Sequence, residues 1–233
     1  MKTASLLPSL ESLRFPAGPD LISIPELPGS RETTKIKDWC LARADEWYEF
    51  GQWGLAREFL QHAADVDPQD SRVWIALGAL HYELGEFQQA GFAFTRGGQL
   101  DPGNARVYLH LALTHQQLGH LPEAEALFKH ALEVQPDNAF AMEILAGFLM
   151  NLGRHAEARE YLEPALQRQS ESVELLLRLG ACCFQCSDLP VARQCYERVL
   201  DLDPSHSLAR ENLEFLEHCP TATVAGQISP TAM

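Results

Sequence analysis

Positive charge is scarce. The chain of 233 residues carries 18 Lys and Arg against 32 Asp and Glu, a formal net charge of −14. Gripping phosphates needs a clustered basic face, so nucleic acid is excluded as the main partner, and anionic membrane surfaces with it. Long apolar runs are lacking too. No stretch reaches the roughly 18 residues of a transmembrane helix, so no membrane insertion is expected. Met1-Lys2-Thr3-Ala4-Ser5-Leu6-Leu7 opens in the manner of a signal peptide, but Pro8, Glu11 and Arg14 interrupt it, and it is expected to stay uncleaved. A cytoplasmic location follows as the expectation.

Catalytic signatures are also missing. There is no phosphate-cradling glycine loop, no nucleophile elbow and no His-Glu metalloprotease helix. The chain is therefore read as no enzyme, with no cofactor. The histidines lack metal spacing: His110 and His115, for example, point to different sides of a helix. Six cysteines are present, but not in a loop-rich disulfide framework. Cys182, Cys183, Cys186 and Cys195 come nearest to a metal set. No histidine stands ready as another ligand, so no metal is expected and these thiols read as small apolar fillers.

What the chain does have is a period. Pro68, Pro102 and Pro136 stand 34 residues apart, and two further steps reach Ser170 and Pro204. Gly51, Gly85, Gly119 and Gly153 keep the same step, with Ser187 in the fifth slot. So do Ala56, Ala90, Ala124, Ala158 and Ala192, and so do Leu60, Phe94, Phe128, Leu162 and Tyr196. A fixed period in this range signals an array of helical repeats. Each unit is two short helices that cannot bury their apolar stripes alone. Small residues at Gly78, Ala112, Ala146 and Gly180 let the paired helices approach. The recurring glycine supplies a turn with positive φ, and the proline ends the second helix.

These residues resemble the tetratricopeptide repeat, most fully at Trp74, Leu77, Gly78, Tyr82, Gly85, Ala90, Phe94 and Pro102. The resemblance implies an all-α, right-handed superhelical solenoid of five helix-turn-helix repeats: 37–70, 71–104, 105–138, 139–172 and 173–206. A C-terminal capping helix over 207–218 follows, reached through Ser205 as its cap. Residues 1–36 form a proline-containing, partly flexible segment, with Pro19–Pro25 extended. Residues 219–233 form a disordered tail. Pro164, inside a second helix, predicts a bend near Leu162–Ala165.

In this family the first helices line a concave groove. The resemblance places Arg72, Ile75, Ala79 and Tyr82 there, beside Arg106, Leu109, Leu113 and Gln116, then Phe140, Glu143, Gly147 and Met150. Such a wall suits an extended protein or peptide segment, with Arg72 and Arg106 meeting acidic or carbonyl groups. The lysine and asparagine clamp that holds chaperone tails is absent: Leu41, Asp45, Ala76, Arg106 and His110 occupy its positions. A narrower likeness, over about 60–130, is to the chaperones of type III secretion translocators. It rests on Asp70-Ser71-Arg72, Leu77-Gly78-Ala79, Gly97, Arg106, His110 and Leu121-Pro122-Glu123-Ala124-Glu125. A further alternative is a scaffold or a regulatory subunit for a separate enzyme. The crowded aromatics of the first repeat, Trp47 and Trp53 above all, ask for a cover. Residues 1–36 or a second copy could supply it, the latter as a homodimer through the first repeat.

Overall fold

The structure is a computed structural model describing residues 30–218, with side chains from residue 34. Its elements are α1 (Ser30–Glu49), α2 (Trp53–Val66), α3 (Ser71–Glu83), α4 (Phe87–Leu100), α5 (Ala105–Gln117), α6 (Leu121–Val134), α7 (Ala139–Asn151), α8 (His155–Arg168), α9 (Val173–Gln185), α10 (Leu189–Leu202) and α11 (Ser207–His218). Each odd helix from α1 to α9 packs most closely on the even one after it, and each even helix then meets the next odd one. This serial contact pattern is the all-α tetratricopeptide solenoid.

Backbone chemistry fixes the hairpins. Gly51, Gly85, Gly119 and Gly153 take φ of 68°, 72°, 77° and 74°. At each, two backbone bonds close the first helix. The Gly85 N–H donates to the Tyr82 carbonyl at 3.0 Å and the Glu86 N–H to the His81 carbonyl at 2.9 Å, a Schellman closure. Ser187 makes the same turn at φ 63°. Several first helices are capped by side chains: Asp70 accepts from the Arg72 N–H, Asn138 from Ala141 and Ser172 from Leu175.

The core runs between the helices as a seam. Ala56, Ala90, Ala124, Ala158 and Ala192 are all fully buried. A Cβ on Gly78 would come within 2.6 Å of the Phe94 ring, and one on Gly180 within 2.6 Å of the Tyr196 ring. Large rings therefore fill space that small partners leave open.

Charged contacts staple neighbouring second helices. Arg57 meets Glu86 at 2.8 Å and Arg159 meets Asp188 at 2.9 Å, each pair 29 residues apart. Glu125 and Arg154 repeat that spacing with the signs reversed, at 3.0 Å. Arg193 reaches Glu217 of α11 at 3.8 Å. Between repeats two and three the equivalent residues are Gly91 and His120, so that rung is missing.

Two expectations need correction. The first helix starts at Ser30, seven residues before the repeat boundary at 37. Pro28 is the last proline before it, and none follows until Pro68, so nothing stops the helix extending backwards. The last helix is capped by His206, whose Nδ1 accepts from the Ala209 N–H at 3.3 Å. Ser205 instead donates its hydroxyl to Asp203 at 2.7 Å. Pro164 lies inside α8, which runs on as helix to Arg168. Leu162 and Ala165 are fully buried around it, and packing of that kind holds a helix through a lost hydrogen bond. Pro19–Pro25 and the tail at 219–233 lie outside the described residues.

Candidate partner-binding surface

The residues that the resemblance assigns to the groove lie on α3, α5 and α7. They differ in how free they are. Arg72 is exposed but committed: its guanidinium meets Asp38 at 2.9 Å and Asp70 at 2.6 Å. Asp70 in turn takes Lys37 at 2.7 Å, and Lys37, buried to 6% exposure, also meets Asp67 at 2.8 Å. The Arg72 guanidinium, with Lys37 behind it, holds the Asp70 carboxyl far below the usual carboxylate range. This network locks α1 onto the start of repeat two. An incoming acid would have to compete for Arg72 with two aspartates. Arg106, 34 residues on, is exposed and has no ion-pair partner among the described residues.

The apolar members divide the same way. Leu109 is 4% exposed and belongs to the core. Ile75, Ala79, Leu113, Gln116 and Met150 are half-buried walls. Tyr82 is half-buried too, edge-on to Phe87 with centroids 5.4 Å apart. Phe140 stands out at 59% exposure. Beyond it the floor is shaped by a residue the sequence reading missed. Arg178 of α9 meets Glu174 at 2.7 Å and Glu143 at 3.5 Å. Its Nη1 lies 3.0 Å from where a Cβ on Gly147 would be, so Gly147 is a bed for the guanidinium rather than an open pocket. The signal was available: a glycine on the inner face one repeat before an arginine flanked by Glu174.

His110 stacks flat on Phe94, with centroids 5.3 Å apart. Burial, then the Arg106 charge, pushes its pKa down, so it presents a neutral ring to this face. Cys182, Cys183 and Cys195 are buried. Burial raises Cys182 to about 12 and Cys195 to about 11, far from the thiolate that metal binding or nucleophilic attack requires. Among the described residues no group of three or more His, Cys, Asp or Glu is placed to hold a metal ion. Nor is any described helix long and apolar enough to cross a membrane.

In the first repeat Trp47 is half-buried in the local core. Trp53 is 37% exposed, edge-on to Tyr48 with centroids 4.9 Å apart. Trp39 and Phe50 are more open, at 50% and 75%. The two tryptophans therefore differ: Trp47 chiefly holds the repeat together, while Trp53 presents an edge.

Solved structures share this architecture at low identity. PilF of Pseudomonas aeruginosa matches with a TM-score of 0.66 at 17% identity, over 79% of this chain and 90% of its own. MamA of Desulfovibrio magneticus RS-1 gives 0.64 at 16%, over 74% and 97%. YrrB, described as a tetratricopeptide protein with an unusual peptide-binding site, gives 0.62 at 15%, over 78% and 97%. Such identities speak for the fold alone. No curated protein matches the sequence. The sequence itself places the chain more narrowly: residues 35–213 match the family model of the cilia and flagella-associated protein 70 C-terminal domain, and the chain belongs to that tetratricopeptide-repeat family.

Proposed function

We propose that the chain is a non-enzymatic interaction module that holds an extended segment of a partner protein along the concave face of repeats two to four. One observation supports this most. Equivalent sites in adjacent repeats, Arg106 and Phe140, are an exposed cation with no ion-pair partner among the described residues and a ring that is 59% exposed. An arginine and an aromatic on one wall are typical anchors of a binding surface. Arg72 contributes position rather than free charge, because its aspartates hold it.

The test uses exposed residues only, since aspartate at buried Leu109 would damage the fold. Arg106→Glu with Phe140→Ala should reduce capture of the partner from a host extract by roughly 10-fold or more, about 1.4 kcal/mol at the least. Undiminished capture by a variant with native circular dichroism sinks the reading.

A second reading rests on a different observation. Trp39, Phe50 and Trp53 leave apolar surface open at the end of the array, which favours self-association through the first repeat.

A further inference from the structure

A second depression lies round the back of α3. At 100° per residue, Trp74, Leu77 and His81 face roughly 150° away from the concave stripe. They floor a cavity of about 420 Å³ between α2 and α4. Its working parts are few. The Trp74 indole is pinned, its Nε1 donating to the Pro68 carbonyl at 2.9 Å. Phe92 stands edge-on to it, with centroids 6.1 Å apart. Gln61, Gln88 and Gln89 bring amides to the rim, and Asp65 brings its one carboxylate.

This junction departs from the rest of the array. Phe92 is 68% exposed, where the equivalent sites hold Glu58, Ala126, Glu160 and Gln194, none of them aromatic. Helix α4 is the one second helix with no Asp or Glu, in a chain of net charge −14. A cleft of two aromatics rimmed by amides fits a polyproline II strand: proline rings seat on the aromatic faces, and amides bond its free carbonyls.

The sequence carries a candidate of that kind before its first helix. Arg14-Phe15-Pro16-Ala17-Gly18-Pro19 has two prolines three apart, which a three-residue turn puts on one side. Arg14 complements Asp65, which has no ion-pair partner among the described residues. The tether is long enough. Lys37 binds Asp67 and Asp70, and Trp74 binds Pro68, so α1 begins at the end of the array where the cleft opens. Ser30 lies about 10 Å along the helix from Lys37, and residues 20–29 can span up to about 33 Å.

We propose that Pro16–Pro19 seats in this convex cleft of its own chain, against Trp74 and Phe92, with Arg14 on Asp65. The concave face is the poorer host, because its aromatics, Tyr82 and Phe140, stand two repeats apart. The trough therefore stays open to a partner while the convex side is closed in cis. This goes beyond partner capture and does not depend on it.

The test is fluorine NMR of the full chain labelled with fluorotryptophan, the Trp74 signal being assigned by Trp74→Phe. Pro16→Ser with Pro19→Ser should shift the Trp74 resonance and leave the other three in place, at every protein concentration. Arg14→Asp and Asp65→Arg should each reproduce the shift, and the two together should restore the original position. An unmoved Trp74 resonance in the folded proline variant overturns the proposal. A resonance that moves with dilution of the unaltered chain also overturns it, because a second copy then fills the cleft. Phe92→Glu should leave Arg106-dependent capture intact, which separates this test from that of the concave face.

Discussion

Ser187 holds a left-handed conformation, φ 63°, at a turn where the other four repeats use glycine. An L-residue there is strained by about 1–2 kcal/mol, and glycine's extra freedom in the unfolded chain returns part of that. Ser187 is exposed, so no packing is lost with its side chain. Ser187→Gly should raise stability by about 0.5–1 kcal/mol, or roughly 2 °C in Tm for a chain of this size. A thermal melt checks it, and an unchanged or lower midpoint refutes it. The turn was legible because the 34-residue register predicts positive φ whatever residue fills the slot. The same register could not show that Leu109 is sealed. Its position resembles Ile75 and Glu143 in sequence, and only its surroundings bury it.

At the scale of the helix pair, register and polarity diverge. The stapling contacts recur at one spacing, but Arg57–Glu86 and Arg159–Asp188 run one way and Glu125–Arg154 the other. A search for a recurring residue type therefore passes over them. The start of α1 was hidden for another reason: the family pattern sets a boundary at 37, while the chain has no helix breaker between Pro28 and there except Gly29. The reversed rung can be tested. Arg154, with Lys129 second, lowers the Glu125 carboxyl to about 2, below the unfolded value of about 4.3. Its folded pKa is depressed, so its contribution is complete above that unfolded value and is lost as pH falls from about 5 towards 2. Part-exposed Arg154 keeps the effect modest through solvent screening. Arg154→Glu should lower the urea midpoint at pH 7 and flatten this acid dependence, and adding Glu125→Arg should recover part of the loss, since the exchanged charges then meet Lys129 and Glu157 as like charges. A double variant no better than the single would show that the two residues do not act as a pair.

Across the whole molecule the buried residues are unevenly shared. One group joins repeat one to α3 and α4, from Cys40 to Ala93. A long seam runs from Ala105 to Leu216. Between them lies a small group of Ala90, Phe94, Val107 and Leu111. The charged rung is absent at that same junction. The stability of a repeat array is close to a sum of unit and interface terms, so the junction that lacks the charged rung is where the smaller end opens first. All four tryptophans lie in the first two repeats, at 39, 47, 53 and 74, whereas circular dichroism weights every helix. Urea unfolding followed by fluorescence should therefore reach its midpoint before the same transition followed by dichroism. Gly91→Arg with His120→Glu would supply the missing rung. A Cβ at 91 has room, its nearest neighbour being Thr114 Cγ2 at 3.7 Å. Gly91→Arg alone gains under about 1 kcal/mol of helix propensity, and the pair adds a further 0.2–1 kcal/mol or so. In the double variant the two midpoints should draw together, chiefly because the fluorescence midpoint rises. Coincident midpoints in the unaltered chain would mean that the junction transmits cooperativity in full and that the small central group is no weak point.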